Sequence, residues 1–149
     1  MPHLEEKVQW NRVMQLPEKY LANLTPQQRL LQARLIAKSQ KEYEETGNVE
    51  DRPKVSDKPT RRSSHVKKFE QRYGFSVTNL DKVKKKFPDT DVQGILAKGA
   101  AAYASSGSRP NVTSFQWKYA RLASVLTGGK AYKIDKDLVG DKSRALIFA

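Results

Sequence analysis

Residues 103–131, YASSGSRPNVTSFQWKYARLASVLTGGKA, combine glycine, serine and cations as a phosphate cradle does. A nucleotide loop of the G-x-x-x-x-G-K-[ST] kind needs glycines that open a helix, a lysine for the outer phosphates and a hydroxyl for Mg²⁺. Lys130 follows Gly128 and Gly129, but Ser124 holds the place of the first glycine and Ala131 that of the hydroxyl. The two glycines also close a helical pattern, where carbonyls and the negative end of the dipole point outward. The spacing predicts a helix stop at Gly128 with left-handed backbone, and no nucleotide hydrolysis. The front of the stretch, SSGSRPNVT, leads into a helix start, whose free N–H groups can hold an anion. Arg109, Lys118 and Arg121 are the candidate cations there; the alternative is a plain turn set by Gly107, Pro110 and Thr113.

Other catalytic sets are thin. The two histidines, His3 and His65, are far apart, and the chain has no cysteine, so zinc spacing is absent. Ser63, His65 and Glu70 could be drawn as a triad, but residues two apart on a helix face different ways. Pro88–Asp89 with Asp135 and Lys136 echoes a metal-dependent nuclease, whose carboxylates and lysine sit on a strand around Mg²⁺. No stretch alternates convincingly, so no sheet is expected to carry it. The chain is read as a non-enzyme with no cofactor, no metal and no small-molecule substrate.

The elements that must position these residues are helical, giving a mainly α fold. LTPQQRLLQARLIAKSQKEYEETGN has Thr25 as cap, Pro26 at the first helical position, Gln28 closing a capping box and Gly47 as stop. Its apolar residues Leu30, Leu31, Leu35, Ile36 and Tyr43, with Ala33 and Ala37, form a stripe that must lie on something. Residues 1–47 are therefore expected to be a helical arm. Residues 48–62, NVEDRPKVSDKPTRR, read as an extended basic linker that neighbours must order. Residues 63–134 read as a compact domain of about four short helices. SSHVKKFEQRYG ends at Gly74, SVTNLDKVKKKFP is capped by Thr78, TDVQGILAKGAAAYASSG ends at Gly107, and VTSFQWKYARLASVLTGG carries a Thr113/Gln116 box. Gly99 and Ala100–Ala102 permit close packing there. Residues 135–149 form a tail with one short piece and an apolar end.

Charge is the strongest compositional signal. The net charge is +12, and residues 1–50 contribute nothing to it, with seven basic and seven acidic residues. Residues 52–86 hold 12 basic and three acidic residues, a net +9. Such a block implies an acidic partner: nucleic acid, an anionic membrane or acidic protein. Lys67, Lys68 and Arg72 could follow a phosphate backbone, as could Lys82, Lys85 and Lys86, which helical spacing gathers on one side. Phe69, Tyr73, Phe75 and Phe87 read as core and not as base-stacking platforms. The pattern over 114–126 could also be a recognition helix, but Phe115, Trp117 and Tyr119 suit packing better than base edges. Expected protein-partner contacts are Trp10, Leu31, Leu35, Arg52, Lys54, Arg61, Arg62, Trp117 and Phe148.

The blocks YLANLTPQQRLLQARLIAKSQKEYEETGNVEDRPKV, RRSSHVKKFEQRYG and SSGSRPNVTSFQWKYARLASVLTGGKA resemble small basic proteins of large DNA viruses that infect algae and amoebae, over roughly residues 20–135. The resemblance implies a virion setting: a minor capsid protein beneath or between major capsomers, or a protein near packaged DNA. It transfers no catalytic residues. The expected function is a structural virion protein that links capsid subunits, its partners being the major capsid protein and other minor capsid proteins. The alternative is a non-enzymatic DNA-binding or DNA-condensing protein, its basic face meeting DNA or an inner membrane surface.

Overall fold

A computed structural model of the chain describes residues 15–149. Among them the protein is mainly α, with seven α-helices, two 3-10 turns and no strand. The helices are α1 (Pro26–Thr46), α2 (Ser64–Tyr73), α3 (Leu80–Lys86), α4 (Val92–Ser105), α5 (Ser114–Leu126), α6 (Lys130–Asp135) and α7 (Asp141–Ile147). The expected helices over 26–46 and within 63–134 are all present, and the tail adds α7. The chain divides into two compact units, Met1–Thr60 with Ala101–Ser114, and Arg61–Ala100 with Phe115–Ala149. The expected boundaries run differently: arm and linker belong to one unit, together with a piece from the middle of the chain.

The first unit is built on α1. Thr25 and Gln28 form the capping box, and Gly47 ends the helix at φ 72°. Its buried face is Gln32, Ala33, Ile36, Ala37 and Gln40, so Ile36 and the two alanines of the expected stripe are buried and its leucines are not. Leu30 and Leu31 stay exposed, at 44% and 46%, and Leu35 is half-buried. The reason lies in what α1 meets. The last carbonyls of a helix have no partner within it, and here α1 faces the end of α4. Ser39 Oγ donates to the Ala104 carbonyl at 3.1 Å, and Gln40 Nε2 to that of Ser106 at 3.1 Å. Gln32 Nε2 reaches the Ser108 carbonyl at 3.4 Å. Alanines let the backbones approach, and the amides answer the carbonyls. Gly107, at φ 125°, completes the contact, since a Cβ there would lie 3.1 Å from both Tyr20 and Ile36.

Residues 48–60 have no regular structure, yet their own unit holds them. Asn111, in left-handed backbone at φ 65°, accepts from the Val55 N–H at 2.8 Å and donates to the Ser56 and Lys58 carbonyls at 3.2 and 3.0 Å. Val55 is buried. These bonds within the unit fix the middle of the stretch.

The second unit packs α2, α3, most of α4, α5, α6 and α7 on one core, centred on Phe69, Phe87, Ile95, Leu122 and Leu126. Phe69 sits 4.8 Å from Tyr73 and 5.4 Å from Phe75, the second edge-on. Gly99 has the role expected of it: a Cβ there would lie 2.7 Å from Lys118 Cα. The cap of α3 is Asn79 and not Thr78. Its Oδ1 accepts from the Lys82 N–H at 3.3 Å, while the Thr78 hydroxyl pairs with that of Ser76. Asp89 caps α7 from far away in sequence: it accepts from the Lys142 and Ser143 N–H groups at 2.8 and 3.1 Å and from the Ser143 hydroxyl.

These bonds, the Ser143 hydroxyl foremost, hold the Asp89 carboxyl below the usual carboxylate range. The unfolded chain therefore takes up the proton first as pH falls, so the stability Asp89 provides is present above about pH 4 and lost below it. Asp89→Ala is expected to lower the urea midpoint at neutral pH, with the gap to the parent closing as pH falls below about 4. An equal gap at both pH values would refute the charged cap.

Candidate nucleic-acid interface

The basic block lies mainly on α2 and α3. In α3, Leu80, Val83 and Phe87 face the core, so helical geometry turns Lys82, Lys84, Lys85 and Lys86 to solvent. Lys67 and Lys68 are exposed on α2. None of these six lysines has a carboxylate within ion-pair distance. The one acidic residue on α2, Glu70, is already paired with Arg62.

Aromatic rings underlie part of this face. Lys82 Nζ lies 6.0 Å from the Phe75 centroid, and Lys86 Nζ 5.5 Å from that of Tyr73. Arg72 lies 5.2 Å from the same Tyr73 ring. The ring is fixed by its hydroxyl, which donates to the Leu126 carbonyl at 2.6 Å, and burial pushes that hydroxyl's pKa up. Arg72 is also tied down, donating to the Leu146 carbonyl at 3.0 Å and to that of Ile147, at the end of α7. Beside this face, His65 is held below its usual pKa by burial first, then by Lys68 and Lys130. The arrangement offers exposed cations, three of them beside the half-buried rings of Tyr73 and Phe75: it can grip phosphates, but neither ring is open for a base.

Several expected contacts are placed elsewhere. The proposed anion seat at the start of α5 is occupied, since the Ser114 N–H is taken by Asp51 Oδ1 at 2.8 Å. Arg121 is in a two-bonded ion pair with the fully buried Asp135, at 2.7 and 2.9 Å, with Lys98 3.7 Å away. Lys118 is half-buried beside Phe115 and Tyr119, and Arg109 is exposed in the first unit. The GGK turn both ends α5 and opens α6; Gly128 is left-handed at φ 73°, and the Ala131 N–H is taken by Ser124 Oγ at 3.2 Å. Among the described residues no three His, Asp or Glu side chains gather as a metal site.

Arg52 is a correction of a different sort. It was expected to meet a partner, but it turns into its own unit. Its guanidinium stacks 3.8 Å from the Tyr103 centroid and donates to Ser39 Oγ, the Tyr103 carbonyl and Ser108 Oγ at 3.1, 2.8 and 2.7 Å. Tyr103 OH accepts the Arg52 N–H at 2.9 Å and donates to the Val112 carbonyl at 2.9 Å. Lys54 and Arg61 are exposed, Trp117 is half-buried, and Trp10 lies outside the described residues. Phe148 is 57% exposed, its ring edge-on to Tyr132. Sequence reasoning passed over Ile134, the most exposed large apolar residue described, at 65%.

The fold and this face define a class: a basic, mainly α protein with a set of surface lysines on α2 and α3 that lack acidic partners of their own. The chain belongs to the Family of unknown function (DUF5824), which matches residues 17–142. No curated protein and no solved structure matches it.

Arg52→Lys keeps the charge but loses the planar fork and the stack. It is expected to cost about 2 kcal/mol of stability, read as a lower urea midpoint of the isolated protein. A midpoint equal to the parent's would return Arg52 to the role of a partner contact.

Proposed function

We propose that the protein is a non-enzymatic nucleic-acid-binding protein that grips duplex DNA by its phosphates through the lysine face of α2 and α3. One observation carries this: six exposed lysines without a carboxylate partner, on two helices of one unit. The second unit holds 17 basic and seven acidic residues, a net +10, so its field reinforces the face. Rings covered by cations favour backbone contact over base reading. In the virion setting that the sequence resemblance implies, the polyanion is packaged DNA. Among the described residues no helix is long and apolar enough to cross a membrane, and an anionic membrane surface is the competing ligand.

A second role, as a minor capsid protein joining the major capsid protein to other minor capsid proteins, is favoured by Leu30 and Leu31, which α1 leaves in solvent. The exposed Phe148 favours it too, whereas α1 and residues 52–58 make contacts within their own unit. Leu30→Ser with Leu31→Ser is expected to keep the helical content and lose incorporation into particles. Unchanged incorporation removes the capsid role from this face.

The DNA test is titration of the full chain with a short duplex at two salt concentrations. With about five phosphates neutralised, affinity should fall about 500-fold between roughly 50 and 200 mM salt. Lys82→Ala with Lys85→Ala and Lys86→Ala should lower the salt slope by roughly three. Lys136→Ala with Lys142→Ala, exposed lysines outside the face, should leave it unchanged. A triple variant that binds like the parent refutes the interface, and binding to anionic vesicles but not to DNA assigns the face to a membrane.

A further inference from the structure

The sequence RRSSHV, residues 61–66, enters the second unit beside the lysine face, and its two serines have different fates. Ser63 is the cap of α2: it is half-buried, and its Oγ accepts from the His65 N–H at 3.2 Å. Ser64, the first helical residue, is exposed, and its hydroxyl has no hydrogen-bond partner. Residues 58–63 before it have no regular structure, and Arg61 and Arg62 are exposed there. Arg62 is held only by a surface pair with Glu70, both side chains about half exposed, and pairs of that kind give way readily.

From this geometry we infer that Ser64 is a phosphoacceptor for a serine/threonine kinase with an acidic substrate cleft, and that its phosphorylation discharges the lysine face. Arg61 and Arg62, three and two residues ahead of the hydroxyl on an irregular lead, are what an acidic cleft can hold. Presenting Ser64 requires opening the first turn of α2, which releases the His65 N–H from Ser63 Oγ and the Lys67 N–H from the Ser63 carbonyl, the latter bonded at 3.1 Å. In the transfer, Ser64 Oγ attacks the γ-phosphorus of Mg²⁺-bound ATP. The new O–P bond forms as the bond to the β,γ-bridging oxygen breaks, ADP leaves, and the hydroxyl proton passes to the kinase's carboxylate base.

The product fits the helix. A phosphate adds about −1.5 to −2 charges, and at a first helical position it lies at the positive end of the dipole. Lys67 and Lys68, three and four residues on, are within reach on the same side. Pairing with them withdraws both from DNA, so α2 is preserved while its affinity for polyanions falls. The loss of affinity rests on the DNA-binding role proposed above; the acceptor assignment does not.

The experiment treats the full chain with a kinase of arginine-directed specificity and Mg-ATP, and maps the phosphate by mass spectrometry. One phosphate on Ser64 is expected, retained in Ser63→Ala, absent in Ser64→Ala, and strongly reduced by Arg61→Ala with Arg62→Ala. Phosphate on another residue, or none, overturns the assignment. The modified protein should bind duplex DNA about tenfold more weakly at 100 mM salt, with a salt slope lower by about two. Equal affinity overturns the discharge. An unmodified chain that does not bind DNA defeats the proposed function instead, and the mapped phosphate distinguishes that result.

Discussion

Short helices have many ends, and each end leaves backbone groups that nothing in the helix can satisfy. That constraint governs this molecule, because four of its seven described helices are ten residues or fewer. Local caps serve some ends: Thr25 on α1, Ser63 on α2, Asn79 on α3. The others are met from a distance. Asp51 takes the start of α5, Asp89 that of α7, and Arg72 the end of α7. Ser39 takes a carbonyl at the end of α4, and Gln40 one just beyond it. Each such bond ties two parts of one unit together, so satisfying the ends and building the tertiary fold are one process. It also explains why α1 buries amides while its leucines remain outside.

The same demand sorts the cations. Arg29, Arg52, Arg62, Arg72, Arg121 and Arg144 each hold an oxygen of the protein itself. Arginine suits that work, since its planar fork aims several N–H groups at once and tolerates partial burial better than an ammonium does. The lysines of α2 and α3 are left over. Their stems rest on the unit, Lys82 and Lys86 above aromatic rings, and their charges remain in water. A surface of this composition repels itself in the monomer, and a polyanion relieves that repulsion. The proposed affinity for a polyanion rests on the absence of competing carboxylates more than on any single lysine.

The lysine face was legible in the sequence. Once Leu80, Val83 and Phe87 take the core, a period of 3.6 residues leaves Lys82, Lys85 and Lys86 no other direction. The left-handed stops at Gly47, Gly74 and Gly128 could be read as well, because no other residue adopts that backbone so cheaply. Arg52, Arg72 and Arg121 could not be told from the lysines by composition. Their partners lie 13 to 75 residues away, and no local pattern announces them. The leucines of α1 misled because periodicity identifies an apolar stripe but not what lies opposite it. Asp89 read as half of a nuclease signature, whereas its oxygens serve the backbone of α7.

The sequence by itself determined the helices α1 to α5, most of their ends, and the basic block on one stretch of chain. These depend on neighbours within a turn or two, where caps, glycines and spacing act directly. Only the tertiary structure decided which face of α1 is buried, which cations are engaged and which remain free. Those outcomes depend on groups distant in sequence competing for the same unsatisfied backbone atoms, and that competition is settled only when the chain has folded.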